Sequence, residues 1–140
     1  MIAAPGSEPC PCGGVPDGAS FGACCGPFLA GDGWPTTPEA LMRSRYTAYA
    51  VGNRDHLFRT WHPATRPPEV ELDGSLTWTG LDVLSAGGDD DEGTVEFAAH
   101  WTSGEGRLRQ RGAVRERSTF TRRARRWMYR DGVDLGDGGG

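Results

Sequence analysis

Residues 37–53 read TPEALMRSRYTAYAVGN, and this stretch predicts a helix over residues 38–51. Apolar and aromatic side chains recur there at helical spacing together with one arginine: Leu41, Met42, Arg45, Tyr46 and Tyr49. Thr36 or Thr37 is expected to cap the helix, with Pro38 in its first turn. Gly52-Asn53 is expected to end it.

The chain after this helix predicts one shorter helix and then a sheet. The short helix is expected to start at Asn53 or Asp55 and to end at His62-Pro63. Strands are predicted over residues 75–85, 94–102, about 107–121 and 126–130, with a bulge at Gly80 where the apolar phase shifts. Two helices followed by a four-stranded antiparallel meander predict an α+β fold.

The chain before the helix contains the four cysteines of the sequence: Cys10, Cys12, Cys24 and Cys25. Four clustered thiols suit one tetrahedral zinc ion, and a closed shell of four sulfurs predicts a structural site. Residues 1–33 hold few large apolar side chains, so they need such a staple to fold. A free or redox-active cysteine cluster and an iron–sulfur cluster are the alternatives.

Charge is distributed unevenly along this chain of net charge −4. Residues 107–130 contain ten arginines against one acid, and the whole sequence has no lysine. Five arginines are expected on one face of the third strand, where they would contact nucleic-acid phosphate or form a solvated face balanced by acidic residues 89–92: Arg107, Arg109, Arg111, Arg115 and Arg117. The acidic net charge favours the solvated face.

No apolar stretch is long enough for a membrane span, and the first ten residues lack the pattern of a secretory signal. A soluble cytoplasmic protein is therefore expected. Its thiols stay reduced in that compartment, which favours metal over disulfides.

A second candidate site lies on the predicted helices and is made of Arg43, Arg45, Tyr46, Tyr49, Trp61 and His62. The functional interpretation is a pocket whose guanidinium and phenol groups bind an anionic ligand, with His62 as a general acid or base. The alternative is structural: helix packing, arginines bonded to backbone, and a helix-terminal imidazole. His100 is expected to be solvated, and no nucleophile elbow, phosphate loop or histidine–carboxylate metal triad is recognisable.

Two groups of motifs resemble known families. CPCGG…FGACCGPFL resembles the SEC-C motif, a zinc-binding element also found in the SecA translocation ATPase. TPEALMRSRYTAY, TWHPATRP, GLDVL, TVEFAAHW and ERSTF resemble the bacterial YchJ family. The resemblance implies a zinc knuckle on Cys10, Cys12, Cys24 and Cys25, and a nuclear-transport-factor-2-like domain, a curved antiparallel sheet wrapped around helices. The family implies no established reaction.

The chain departs from the SEC-C pattern between the cysteine pairs. Eleven residues, 13–23, separate Cys12 from Cys24, and the added VPDGAS has the character of a loop insertion. The lysines common in SEC-C loops are absent, which weakens any inference that the knuckle recruits an acidic chaperone as in SecA.

These observations predict three segments and one leading function. The segments are a knuckle and linker over 1–33, a nuclear-transport-factor-2-like domain over 34–133, and a disordered glycine-rich tail over 134–140. The leading function is a zinc-containing binding or adaptor module, not an enzyme, with a protein partner and a ligand pocket. The alternatives are a small-molecule isomerase or hydrolase in the pocket, and nucleic-acid binding by the arginine-rich strand.

Overall fold

The computed structural model describes residues 6–137. Three helices, α1 (Gly26–Ala30), α2 (Pro38–Val51) and α3 (Arg54–Thr60), precede four strands, β1 (Thr77–Gly88), β2 (Glu92–Ser103), β3 (Gln110–Arg123) and β4 (Arg126–Asp137). The strands form one antiparallel sheet in the order β1-β2-β3-β4, which confirms the predicted α+β meander. None of the helices described over residues 6–137 is long and apolar enough to cross a lipid bilayer.

Helix α2 has the bounds that its capping residues predict. The Thr37 hydroxyl accepts a hydrogen bond from the Ala40 N–H at 3.0 Å, and Pro38 begins the helix. Gly52 ends it in the left-handed conformation, with φ of 80°. The helix is buried on more than one side because the sheet, α3 and the N-terminal segment all pack against it.

Helix α3 ends two residues earlier than predicted. Asn53 caps it by accepting from the His56 N–H at 2.9 Å, and the last helical residue is Thr60. Trp61 is already extended, forming a parallel bridge to Tyr129 of β4. This backbone pairing joins residues that are distant in sequence. It directs the chain away from the helical path before His62.

The sheet differs from its prediction in both of its last strands. β3 starts at Gln110 because Gly106–Leu108 form a 3-10 turn. Arg107 and Arg109 therefore precede the strand. The five arginines predicted to share one face of the third strand do not all lie on it. β4 continues to Asp137, and Asp134 and Asp137 pair with Glu116 and Val114 of β3, although residues 134–137 are predicted to lie in a disordered tail. Residues 138–140 of that tail lie outside the described residues.

The bulge predicted at Gly80 is present as a register shift between Trp78 and Gly80, and a second shift lies between Val83 and Ser85. β3 and β4 join through Ala124-Arg125, both with positive φ, as a two-residue hairpin turn requires.

The two faces of the sheet differ in chemistry. The inner face carries Val95, Phe97, Ala99 and Phe120 against the helices, whose main buried apolar residues are Leu41, Met42, Ala48 and Leu57. The outer face carries ion pairs of Glu96 with Arg115 at 3.0 Å and Arg117 at 3.2 Å, and the His100 Nε2 lies 2.7 Å from an Asp82 carboxylate oxygen. His100 is therefore exposed but paired.

The N-terminal knuckle, residues 8–33, consists of tight turns and the short helix α1, and it packs against α2. The Cys10 N–H donates to the Ala19 carbonyl at 3.0 Å, and Pro9 bridges Ser20. Gly14 has φ of 85°, and a Cβ there would lie 2.4 Å from the Ala19 nitrogen, so a side chain would prevent this turn. The linker beyond is fixed by the Trp34 indole, which donates to the Trp127 carbonyl at 2.8 Å.

Candidate metal centre and binding cavity

The knuckle brings the sulfurs of all four cysteines together. All four Sγ atoms lie within 4.8 Å of one another, with Cys12 and Cys24 at 3.6 Å and Cys24 and Cys25 at 3.9 Å. A zinc–sulfur tetrahedron with bonds of about 2.3 Å has edges of about 3.8 Å. The arrangement therefore fits a four-thiolate metal centre, and three of its four residues are buried.

The acidities of these thiols show why a cation suits the cluster. Hydrogen bonds from Cys12 and Cys25 lower the pKa of Cys10. Burial and the neighbouring Cys12 raise the pKa of Cys24 to about 11, and hydrogen bonding to Cys10 and Cys12 raises that of Cys25. One thiolate thus suppresses ionisation of its neighbours, whereas a bound metal cation would stabilise all four.

Side chains of α2 support the cluster from behind. The Thr47 hydroxyl lies 3.8 Å from the Cys10 sulfur, and the Gly14 N–H donates to the Cys12 sulfur at 3.4 Å. Arg43 donates through Nη1 to the Cys12 carbonyl and through Nε to Glu39, both at 2.9 Å. Burial would lower the pKa of Arg43, but these two partners outweigh it and raise the pKa. Arg43 is thus placed at the metal centre.

A groove of about 600 Å³ separates the knuckle from the β1–β2 hairpin. Val15, Cys24, Phe28 and Arg43 lie on its floor and knuckle side, and residues 86–89 form the opposite wall. Val15 is 56% exposed, so this edge of the insertion between the cysteine pairs offers an apolar contact surface.

A separate cavity of about 200 Å³ lies between α2 and the inner face of the sheet. Arg45, Tyr46 and Tyr49 line it, as do aromatic and apolar side chains of the sheet: Trp78, Phe97, Ala99, Val114, Phe120 and Tyr129. The spacing on α2 thus brings three residues of the predicted pocket together.

Trp61 and His62 of the predicted pocket are placed differently. Trp61 stacks edge-on against Tyr129, with ring centroids 5.1 Å apart, behind Arg45. The His62 N–H donates to the Tyr129 carbonyl at 2.7 Å, and its Nδ1 accepts from the Ala64 N–H at 3.0 Å. Among residues 6–137, His62 is not one of those that line the cavity. Its imidazole instead closes the turn after α3.

Arg45 is the charged group that α2 buries in this cavity. Its Nη1 donates to the Leu57 carbonyl at 2.9 Å and to the Thr60 hydroxyl at 2.7 Å. The guanidinium carbon lies 4.3 Å from the ring centroid of Tyr129 and 5.0 Å from that of Trp61. Burial lowers the pKa of Arg45 to about 10, so the group keeps its charge at neutral pH.

Glu116 is a cavity residue that the sequence interpretation missed. It lies on β3 between two exposed arginines, yet it points to the inner face, opposite Phe97 of β2. The Ser118 hydroxyl donates to its Oε2 at 2.7 Å. A Cβ at Gly132 would lie 2.6 Å from its carboxyl carbon, so glycine leaves room for the carboxylate. The signal was available, because Glu116 alternates in phase with Val114, Ser118 and Phe120.

Ser44 and His56 form a second buried polar pair that the sequence interpretation did not single out. The His56 Nε2 lies 2.9 Å from the Ser44 hydroxyl, which itself donates to the Leu41 carbonyl at 2.8 Å. Nε2 therefore carries the proton and donates to Ser44. Burial, followed by Arg59 and Arg45, lowers the pKa of His56 to about 4. Both side chains are inaccessible to solvent, so the pair contributes to packing between α2 and α3.

Comparison with known proteins extends over both regions. Residues 37–132 match the family model described as the YchJ middle NTF2-like domain. A UPF0225 protein of Deinococcus radiodurans is 45% identical over 130 residues, which cover 93% of this chain and 92% of the relative.

Two solved structures of SEC-C motif containing proteins are similar throughout. The protein from Rhodopseudomonas palustris has a TM-score of 0.76 at 34% identity, covering 92% of this chain and all of its own. The protein from Psychrobacter arcticus has a TM-score of 0.72 at 26% identity, covering 90% of this chain and 82% of its own.

Proposed function

This chain belongs to the YchJ (UPF0225) family, and on that premise we propose that it is a binding protein. A structural zinc ion holds the knuckle on the domain, and the cavity between α2 and the sheet binds a small ligand. The observation that carries the binding role is the buried guanidinium of Arg45, which faces this cavity.

The zinc assignment is supported by donor chemistry and by spacing. Four thiolates are ligands that zinc prefers, and the sulfur separations match a tetrahedral shell. When bound, zinc cross-links residues 10–12 to residues 24–25. Element analysis of the purified protein is expected to find about one equivalent of zinc. Less than half an equivalent, with all four thiols reacting freely, would exclude the assignment.

Ligand binding in the cavity can be tested by filling the cavity. Ala99 lines it and is 4% exposed, while its neighbour Ala98 lies on the other face of β2. We expect Ala99→Leu to abolish the chemical-shift changes that a small-molecule library induces at Tyr49 and Tyr129, and Ala98→Leu to preserve them. Equal responses in the two variants would place any binding elsewhere.

Binding is favoured over the enzymatic alternative because His62, the general acid or base of that alternative, does not line the cavity, although Arg45 does. His62 lies in the turn after α3, away from the groups that face the cavity. Nucleic-acid binding is disfavoured on similar grounds, because Glu96 already pairs with Arg115 and Arg117.

A protein partner remains part of the proposal, and the groove beside the knuckle is the surface we assign to it. Val15 is the most exposed large apolar side chain of the knuckle. We expect Val15→Asp to weaken recovery of a partner by the zinc-loaded protein, whereas the distant change Leu84→Asp preserves it. Equal recovery by both variants would remove the groove from the proposal.

A further inference from the structure

We propose that the cavity binds a single-ring aromatic carboxylate that also carries a hydrogen-bond donor, the carboxylate facing Arg45 and the donor facing Glu116. The inference rests on the proposed function, since it names the ligand class of the same cavity. Three observations carry it: an unpaired buried cation, an unpaired carboxylate in the same cavity, and an aromatic wall of matching size.

The cationic end is Arg45. It is 6% exposed, and among residues 6–137 it forms no ion pair within 4.0 Å. Both hydrogen bonds of its side chain go to neutral acceptors and leave from one nitrogen, Nη1. A buried charge is unfavourable without a counter-charge, and a guanidinium pairs best with a planar carboxylate. A ligand carboxylate would supply the missing partner.

The anionic end is Glu116. The described chain gives its carboxylate one hydrogen bond, from Ser118, and no cation within 4.0 Å. Arg45 and Glu116 line the same cavity and lie more than 4.0 Å apart, so the Glu116 charge offsets only part of the effect of burial on the pKa of Arg45. Glu116 would repel an acid group placed beside it and would accept a hydrogen bond from a hydroxyl or amino group. The two charges therefore fix the direction in which a ligand lies.

The wall of the cavity favours a ligand that contains an aromatic ring. Aromatic side chains surround the space, namely Tyr46, Tyr49, Trp78, Phe97, Phe120 and Tyr129. Aromatic rings favour edge-to-face contact with other rings, and Met42 adds a polarisable sulfur. An apolar cavity of about 150 Å³ accommodates benzene. The 200 Å³ of this cavity thus suits one ring with small substituents.

The phenols stay neutral donors beside the carboxylate. Burial raises the pKa of Tyr46 to about 12 and raises that of Tyr129 further. Neither hydroxyl ionises at neutral pH, so neither adds negative charge near Arg45.

The experiment is a titration of the zinc-loaded protein with four probes, followed by NMR at cavity residues. The probes are 4-hydroxybenzoate, benzoate without the donor, 4-hydroxybenzyl alcohol without the charge, and toluene with neither. We expect 4-hydroxybenzoate to bind about tenfold or more tightly than 4-hydroxybenzyl alcohol, as a charge-assisted hydrogen bond predicts. Benzoate should bind several-fold more weakly than 4-hydroxybenzoate.

One variant tests each end. Glu116→Gln keeps the side-chain shape and should shrink the difference between 4-hydroxybenzoate and benzoate. Arg45→Gln should remove the preference for the carboxylate, and circular dichroism checks that it folds. His62→Asn, outside the cavity, is the control and should change neither ratio.

The outcomes separate the ligand class from the proposed function. If toluene or 4-hydroxybenzyl alcohol binds as tightly as 4-hydroxybenzoate, the ligand class is wrong and the binding cavity stands. If the Glu116→Gln variant discriminates between the two acids as the wild type does, the assignment of Glu116 is wrong. If none of the four probes perturbs the cavity residues, the ligand class and the proposed cavity function fail together.

Discussion

The knuckle buries three of its four cysteines and Leu29 but few other side chains, whereas the helix-and-sheet domain buries Leu41, Leu57, Val95 and Phe120 completely. The knuckle therefore buries too little apolar surface to stabilise its own turns, and its folding depends on the metal ion that the four sulfurs would bind. The domain has a continuous core, which the buried cysteines and Leu29 of the knuckle adjoin, and its apolar burial stabilises it without a metal ion. One chain thus contains a region ordered by coordination chemistry and a region ordered by apolar burial.

Metal removal should produce the largest difference between the knuckle and the helix-and-sheet domain. Structural zinc in knuckle-sized units contributes about 10 kcal/mol or more of folding free energy at neutral pH. We expect a chelator, or Cys12→Ser, to collapse the NMR dispersion of residues 8–30 and to leave the sheet resonances dispersed. Zinc content measured on the same samples gives the occupancy. Loss of the sheet signals together with the knuckle would mean that the two regions are one cooperative unit.

A truncation in the domain core should lower the stability of the domain and leave zinc binding by the knuckle unchanged. Leu57 on α3 is fully buried, and Leu57→Ala should lower the free energy of unfolding by about 2–5 kcal/mol. Urea denaturation measures this loss. Zinc stoichiometry below the transition should stay unchanged, and Leu84→Ala, at a 48% exposed position, should lower stability by less than about 0.5 kcal/mol. A zinc content that falls in the Leu57→Ala protein would contradict the separation.

Acid should act on the domain through His56. Its pKa is about 4 in the folded chain and about 6.5 when unfolded, so the unfolded chain binds more protons between these values. The contribution of His56 to the free energy of unfolding is constant above pH 6.5 and is lost as pH falls from about 6.5 to 4, by about 3 kcal/mol in total.

The difference between the wild-type and His56→Asn denaturation curves, measured from pH 7 to pH 4 with zinc occupancy monitored, isolates this contribution. His62→Asn is the exposed control and should retain the wild-type slope. Identical pH slopes for wild type and His56→Asn would disprove the role of His56.

The smallest effect should come from the contact that joins the two regions. Arg43→Met removes the hydrogen bond to the Cys12 carbonyl and the pair with Glu39, and should cost about 1 kcal/mol. Zinc transfer to a competing chelator should be faster than in the wild type. Glu39→Gln, which removes the exposed ion pair alone, should cost about 0.5 kcal/mol or less. Equal transfer rates for all three proteins would show that Arg43 does not couple the regions.

Local signals in the sequence predicted α2, whose threonine and glycine caps fix both ends. They also predicted that the four cysteines meet, because the sequence has these four alone, clustered near its start, and their number suits one ion. The strand order followed from short loops between neighbouring strands.

What could not be predicted depends on contacts distant in sequence. The pairing of Trp61 with Tyr129 shortens α3 and turns His62 away from the cavity. The inward position of Glu116, in contrast, could be predicted from its alternation with Val114 and Phe120, although its arginine neighbours suggest an exposed position. Asp134 pairs with Glu116 although glycine-rich composition at this end suggests a disordered tail.

The meander also has a consequence for synthesis on the ribosome. Each strand pairs with its neighbour in sequence, and β3 and β4 are joined by two residues, so the loops that must close are short. The cysteines and the residues of α2 that support them leave the ribosome before β1 does. We therefore expect the nascent chain to capture its metal first and to fold the hairpins of the sheet onto α2 afterwards.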